Sequence, residues 1–349
     1  MPHFDDTILQ AIPEPALIAV RGRVACFNTA AGELFPELAQ QAPLPDPLPS
    51  EAGAGLVLAG GQSWQLTVSP MGDGLLYLLH TARLDGMSRP QLDGTVRRLR
   101  EQMSQLLLSI QLLGHTQEKP DRPSPEDRLA GMNRTLCQML RLTDQLDLLR
   151  DLEGGTFRFQ PVTLDLAGLC RETTYAAACL LEQTGVALQF DCALSSLLVN
   201  GDCDLLQKLI LELLVNAARA AGKGSKLTLA LARRGERAIL TLSGPGRDDG
   251  RPLPQLLSGS SPVDRIPQPG EGAGQGLVLI QHVVALHQGT LMMERRDGIH
   301  TIVALPIAPK GTSLPVRTPN HDYTGGFSPV LVALSDLLDE SAFSAPDME

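Results

Sequence analysis

Along residues 201–222, GDCDLLQKLILELLVNAARAAG, the apolar residues Leu205, Leu209, Leu213 and Ala217 recur at every fourth position. That spacing predicts a helix packed on a core, with Asp202 as its N-cap. The opposite face is polar. Glu212, Asn216 and Arg219 lie four and three residues apart, so a carboxylate, an amide and a guanidinium share adjoining turns. Such a face can hold a metal and phosphates, or it can be the solvated side of an ordinary amphipathic helix.

Before it, residues 7–36 run from an apolar helical piece through strand-like segments at 16–20 and 24–27 into FNTAAGELF, where Asn28 is placed to cap a helix. After a Pro-rich loop, LVLAG, WQLTVSP and GLLYLLH predict three more strands. From Leu92 the period changes: Leu92, Val96, Leu99, Met103, Leu106, Ile110 and Leu113 are separated by alternating steps of four and three, a coiled-coil seam. Gly114 and a polar turn to Pro125 end it. A second run follows through Leu129, Met132, Leu136, Met139, Leu146 and Leu149, interrupted by Thr143 and stopped at Gly154-Gly155. The two helices predict an antiparallel hairpin. Pairing of two hairpins into a four-helix bundle would cover the apolar side a single one leaves open, so residues 92–150 predict a homodimer. Packing of the hairpin on its neighbouring domains is the alternative.

Beyond Gly155 the pattern is α/β: a helix over 164–182, a strand over 186–190, the helix described first, and strands over 226–232 and 238–242. After Pro309 a polar stretch leads to FSPVLVALSDLLDESAF, where Val330, Leu331, Val332, Leu334, Leu337 and Leu338 predict a short amphipathic helix. It either docks on its own protein or serves as a partner-binding peptide.

Length and composition narrow the classes. A chain of 349 residues accommodates two or three domains. With 43% hydrophobic, 19% charged and 3% aromatic residues the cores are aliphatic. A net charge of −10 argues against a nucleic-acid or anionic-membrane partner. Cys26, Cys137, Cys170, Cys179, Cys192 and Cys203 form no C-x-x-C pair, so neither a zinc site nor a disulfide framework is indicated. Without a basic leader or eighteen consecutive apolar residues, the expectation is a soluble cytoplasmic protein with no membrane insertion. Cys26 and His80 carry no ligand pattern and are read as ordinary residues.

Two glycine loops complete the picture. Ser243-Gly244-Pro245-Gly246 closes a strand, and Gly272-Ala273-Gly274-Gln275-Gly276-Leu277 opens a helix to about His287. Glycines admit close approach of phosphates, and a helix N-terminus favours negative charge. In order with the polar helix face and the closing HQGTLMMERRDGIHTIVALP, these loops resemble the ATP-binding domain of sensor histidine kinases, within the GHKL superfamily. The resemblance implies an α/β sandwich that binds ATP and Mg²⁺. Asn216 takes the place of the magnesium ligand and Arg219 of a phosphate contact; Ser243, Gly244, Gly246, Gly272, Gly274, Gly276 and Leu277 fall at the nucleotide, with residues between the loops as a lid. Glu212 stands where histidine kinases mostly carry Asn and the superfamily's ATPases carry a water-activating glutamate. The hairpin resembles the dimerisation and phosphotransfer domain, and the element order of the first eighty residues resembles a PAS sensor domain. The α+β multidomain chain then divides into 1–84, 85–153, 154–309 and a tail, 310–349.

The chemistry departs from that family at two places. Aligning EQMSQLLLSI with the phosphoacceptor motif puts Glu101 at the histidine, Gln102 at its acidic neighbour and Leu106 at the proline. Glu101 could offer only a labile acyl phosphate, and His115, at the end of the first hairpin helix, reads as a helix-end cation. In the first glycine loop Leu242 or Ser243 replaces the Asp that accepts from the adenine amino group. Three functions follow: phosphorylation of a histidine on another protein, a non-catalytic scaffold for a response regulator or partner histidine kinase, and ATP hydrolysis through Glu212.

Overall fold

The computed structural model describes residues 9–45, 48–50, 52–59, 62–81, 96, 99–106, 124–153, 156–245, 275–295, 298–309 and 328–344. Its amino-terminal part begins with a hairpin of β1 (Ala16–Val20) and β2 (Arg23–Phe27), followed by α1 (Thr29–Leu34). Asn28 organises this corner. Its buried Oδ1 accepts from Ala31 N at 2.9 Å, capping α1, and from Ala16 N at 3.0 Å, while its amide donates to Ile12 O and Glu14 O. β3 (Gly53–Ala59), β4 (Gln62–Met71) and β5 (Gly74–Thr81) complete an antiparallel sheet in the order β2-β1-β5-β4-β3. Leu17, Val57, Leu66 and Leu79 pack on one another as its core.

After β6 (Val162–Asp165) come α3 (Leu166–Glu182), β7 (Ala187–Asp191), β8 (Leu198–Gly201), α4 (Cys203–Ala221), β9 (Lys226–Arg234), β10 (Arg237–Gly244), α5 (Gln275–Leu286), β11 (Thr290–Arg295) and β12 (Ile299–Pro306). β11, β12, β10, β9 and β7 lie side by side; the β7–β9 pair alone is parallel. α3, α4 and α5 pack together, and Leu227, Leu229, Leu240 and Leu242 join Leu206, Leu209, Ile210 and Leu213 in one core. This is the α/β sandwich the sequence predicts. The helix expected over 164–182 starts later, because Leu164 belongs to β6 and Asp165 caps α3 by accepting from Ala167 N. β8, too short to show a period, pairs with β6 as a separate two-stranded sheet.

β3 also pairs with β11, matching Ala54, Gly55 and Leu56 to Met293, Met292 and Leu291, so ten strands share one sheet. The seam is tight. A Cβ at Gly55 would collide with Leu291 O, and one at Gly53 would lie 2.8 Å from Met293 O.

α2 (Pro125–Glu153) is one long helix, opened by a reciprocal Ser124–Asp127 cap. It buries Ala130, Cys137, Arg141, Gln145 and Leu148, and leaves Leu129 and Leu136 exposed. Residues 99–106 are helical, and Gln102 donates to Gln138 Oε1 on α2 at 3.1 Å. Leu92, Ile110, Leu113, Gly114 and His115 lie outside the described residues. The tail docks on its own protein: α6 (Pro329–Leu334) and a 3₁₀ turn (Glu340–Phe343) pack against α2, with α6 also on α3 and α4. Leu331, Leu334, Leu338 and Phe343 are fully buried.

The start of α4 is set from afar. Asp202 accepts from Leu205 N as N-cap, and its own N–H donates to Nε2 of buried His287 at 3.0 Å. His287 Nδ1 therefore carries the proton and donates to Val283 O at 2.7 Å. Burial lowers the pKa of His287 from its ordinary 6.5. The folded chain thus resists protonation that the unfolded chain accepts, so this stabilising contribution is complete above pH 6.5 and is lost as pH falls through the lowered folded pKa. Urea unfolding is expected to show stability falling below pH 6.5 by no more than about 1.4 kcal/mol per pH unit from this group, a slope that His287→Gln flattens.

Candidate functional site

The polar face of α4 is covered. Both carboxylate oxygens of Glu212 accept from Arg141 Nη2, at 3.2 and 3.1 Å, and Oε1 also accepts from Gln145 Nε2 at 2.5 Å. Arg141 Nη1 then donates to Asp336 Oδ2 at 3.2 Å, and Arg219 Nη2 reaches the same oxygen at 3.0 Å. Two arginines and two carboxylates from α2, α4 and the tail thus form one neutral network. The side chains of Arg141, Glu212 and Asp336 are 9%, 7% and 11% exposed, and Arg219 is 25% exposed. Asn216 is half-buried on the next turn from Glu212.

Gly276 brings α5 to this face. A Cβ there would strike Glu212 Oε2 and lie 3.8 Å from Asn216 Nδ2, so the second glycine loop meets the polar helix because this position has no side chain. Glu212, Asn216, Arg219 and Gly276 are therefore assembled in one place, with Leu277 next to Gly276 and partly buried against the core. Gly244 ends β10 against Leu227. Gly246, Gly272, Gly274 and the span between the loops lie outside the described residues. Beside Glu212 a cavity of about 460 Å³ opens between α2 and α4, walled in part by Asp144, Asp204, Lys208, Leu279 and Val332.

At the opposite end of the expected nucleotide site, Leu242 is 3% exposed within the aliphatic core. Adjacent strand residues point to opposite faces, so Ser243 does not share Leu242's side of the sheet; its hydroxyl is 2.8 Å from His300 Nδ1 on β12. The residues fit the phosphate and metal end of a nucleotide: the Asn216 amide, the Arg219 guanidinium and a cradle at Gly276 that a Cβ would fill. Among the described residues, the two positions expected at the base, Leu242 and Ser243, carry no carboxylate.

Elsewhere, Glu101 is exposed on its helix while Gln102 is buried. Cys26 is buried, and His80 faces Glu14 at 3.7 Å on the surface. Among the described residues no group of three or more His, Cys, Asp or Glu is placed to hold a metal, and no helix is long and apolar enough to cross a membrane.

Arg141, Gln145 and Asp336 are functional neighbours that sequence reading overlooks. A signal was there: Cys137, Arg141, Gln145 and Leu148 repeat at helical spacing, so two polar residues sit in an otherwise apolar stripe. Removing one partner of a buried pair leaves the other charge without compensation. Arg141→Ala should therefore lower stability by about 3–5 kcal/mol, and Arg141→Met combined with Glu212→Leu by much less than the two single changes summed; urea denaturation checks both.

Residues 201–312 match the family model described as histidine kinase-, DNA gyrase B-, and HSP90-like ATPase. The signal transduction histidine-protein kinase/phosphatase MprB of Mycolicibacterium smegmatis is 26% identical over 206 residues, covering 56% of this chain and 40% of that protein. The adaptive-response sensory kinase SasA of Thermosynechococcus vestitus is 29% identical over 158 residues, covering 44% of this chain and 41% of that protein. The chain thus spans about two fifths of these relatives' length. The structure of the Acinetobacter baumannii histidine kinase AdeS aligns over 61% of this chain and 98% of its own, at 18% identity and a TM-score of 0.46. Residues 201–312 therefore form a histidine kinase-, DNA gyrase B-, and HSP90-like (GHKL-type) ATPase domain, in a chain similar to sensor histidine kinases.

Proposed function

We propose that this protein is a cytoplasmic two-component signalling protein that binds Mg-ATP but acts as a nucleotide-responsive scaffold and does not phosphorylate itself. The observation that carries the reading is Glu212 held by Arg141 and Gln145. A glutamate that activates water needs an oxygen lone pair turned to that water, and this one is turned to a guanidinium and an amide. That argues against ATP hydrolysis. Glu101, exposed at the position of the acceptor histidine, argues against autophosphorylation.

Asn216 and Gly276 would hold the metal and the phosphate chain, and Arg219 would contact a phosphate. Bound Mg²⁺ would supply charge neutralisation. The base would be read weakly, because Leu242 offers no acceptor; losing a charge-assisted hydrogen bond there costs on the order of 1.5–3 kcal/mol. Retention of Asn216 and Gly276 also supports a second reading, phosphoryl transfer to a histidine of a partner kinase. In either case the partner is a response regulator or a histidine kinase.

The amino-terminal sheet order, with α1 inserted between β2 and β3, supports a PAS-like sensor for residues 1–84. A dimeric bundle is supported by Val96 and Met103, and by Leu129 and Leu136. Each pair is one heptad apart, and all four are exposed.

Calorimetric titration should show Mg-ATP binding that Asn216→Ala weakens at least about tenfold, and incubation with γ-labelled ATP should leave the chain unlabelled. No binding at millimolar nucleotide would overturn the nucleotide reading; label on the chain would overturn the scaffold. For the bundle, Met103→Glu with Leu136→Glu is expected to convert a dimer into a monomer in sedimentation equilibrium, and an unchanged mass excludes this seam.

A further inference from the structure

We propose that Arg141 and Arg219 together form a two-guanidinium site for the phosphate chain of a nucleotide, and that Asp336 fills this site as an internal surrogate. Binding of phosphate and docking of Asp336 then exclude each other. The proposal rests on the nucleotide reading above and adds to it a second phosphate-binding residue, Arg141, contributed by the hairpin helix, and a competing group from the tail.

The geometry is that of an anion site. Nη1 of Arg141 and Nη2 of Arg219 converge on one oxygen, Asp336 Oδ2, at 3.2 and 3.0 Å. Planar guanidinium groups match carboxylate and phosphate oxygens alike. Arg219 lies one helical turn along α4 from Asn216, the expected metal ligand, and Arg141 is bound to Glu212, against which Gly276 packs at the start of α5. Asp336 is a carboxylate that both arginines share, while Glu212 pairs with Arg141 as well; a phosphate oxygen can take the same two donors.

The tail has the means to deliver and withdraw this carboxylate. Asp336 sits between Leu334 and Leu338, whose burial seats the segment, while its backbone neighbour Ser335 is held through its carbonyl by Arg134 and Gln138 of α2. Residues 328–344 therefore bring one charge to a fixed point on α4. A polyphosphate bearing several charges competes with a single carboxylate through the same two donors, and it can shift the equilibrium only by its differential affinity for the two states.

The test uses the full-length chain and inorganic tripolyphosphate, which carries no base. Wild type, Asp336→Asn and Asp336→Asn/Arg141→Gln are titrated by calorimetry, with thermal unfolding to verify folding. Asp336→Asn keeps the side chain's shape, and it should bind tripolyphosphate about tenfold or more tighter than wild type; the added Arg141→Gln should abolish the gain. Equal affinity of wild type and Asp336→Asn, or a gain that survives Arg141→Gln, overturns the proposal. Should the variants fail to fold, hydrogen exchange on the wild type decides: tripolyphosphate should raise exchange at the amides of Leu337 and Leu338 relative to added chloride, and unchanged exchange at saturation overturns the proposal. Failure of the nucleotide reading looks different. Tripolyphosphate binding that responds to Asp336→Asn, with no Mg-ATP binding by any variant, keeps the anion site and removes the nucleotide; Mg-ATP binding sensitive to Asn216→Ala, with no response to Asp336→Asn, does the reverse.

Discussion

The architecture depends on keeping four charged groups paired in a place that water barely reaches. Arg141, Glu212, Asp336 and Arg219 arrive from a long helix, the central helix of the ATPase domain and the tail, and their charges sum to zero. Pairs of this kind add little net stability, because desolvation offsets most of the attraction. Their effect lies in what they forbid. Any rotation of α2, or slip of the tail by one residue, would leave a charge buried without a partner. The apolar residues Leu331, Leu334 and Phe343 supply the driving force for docking, and the charges fix the register in which it occurs.

A second constraint sits at the far edge of the same domain. β11 would be an edge strand if β3 did not pair with it, and open edges invite unwanted pairing. The glycines at 53 and 55 let the two backbones approach where a Cβ would collide with carbonyl oxygens. β11 follows α5 closely, and α5 begins at Gly276, against Glu212. A contiguous set of packed elements therefore links the amino-terminal sheet to the polar face of α4. A displacement of β3 would have to be absorbed along that set or passed on.

Much of this was legible in the sequence, for reasons that differ by residue. The spacing of Leu205, Leu209 and Leu213 fixes which side of α4 faces the sheet, and Asp202, Asn28 and Gly276 act over a few residues or over backbone geometry, so local pattern reveals them. Leu198–Gly201 is too short for any period, and Leu164 belongs to a strand because tertiary pairing with Val199 overrides a helical pattern. The largest omission concerns cover. Periodicity shows that Glu212, Asn216 and Arg219 share a face, but not that Arg141, 71 residues earlier, and Asp336, 117 residues after Arg219, close over it. Such contacts are set by how separately formed elements pack, and no local spacing encodes them.

Glu101, Glu212 and Leu242 follow one physical logic. Fold and chemistry rest on different residues: the sandwich is held by its aliphatic core, which none of the three disturbs. Leu242 belongs to that core through apolar contact. Glu212 carries a charge that would be costly at 7% side-chain exposure had Arg141 not supplied its counterion. Once that pairing exists, Arg141 has a donor left for an anion beside Arg219, and a carboxylate on the tail completes it. Glu212 therefore does more than carry a buried charge: it anchors α2, the helix that carries Arg141, over the polar face of α4, and so ties the chemistry of that face to its closed arrangement.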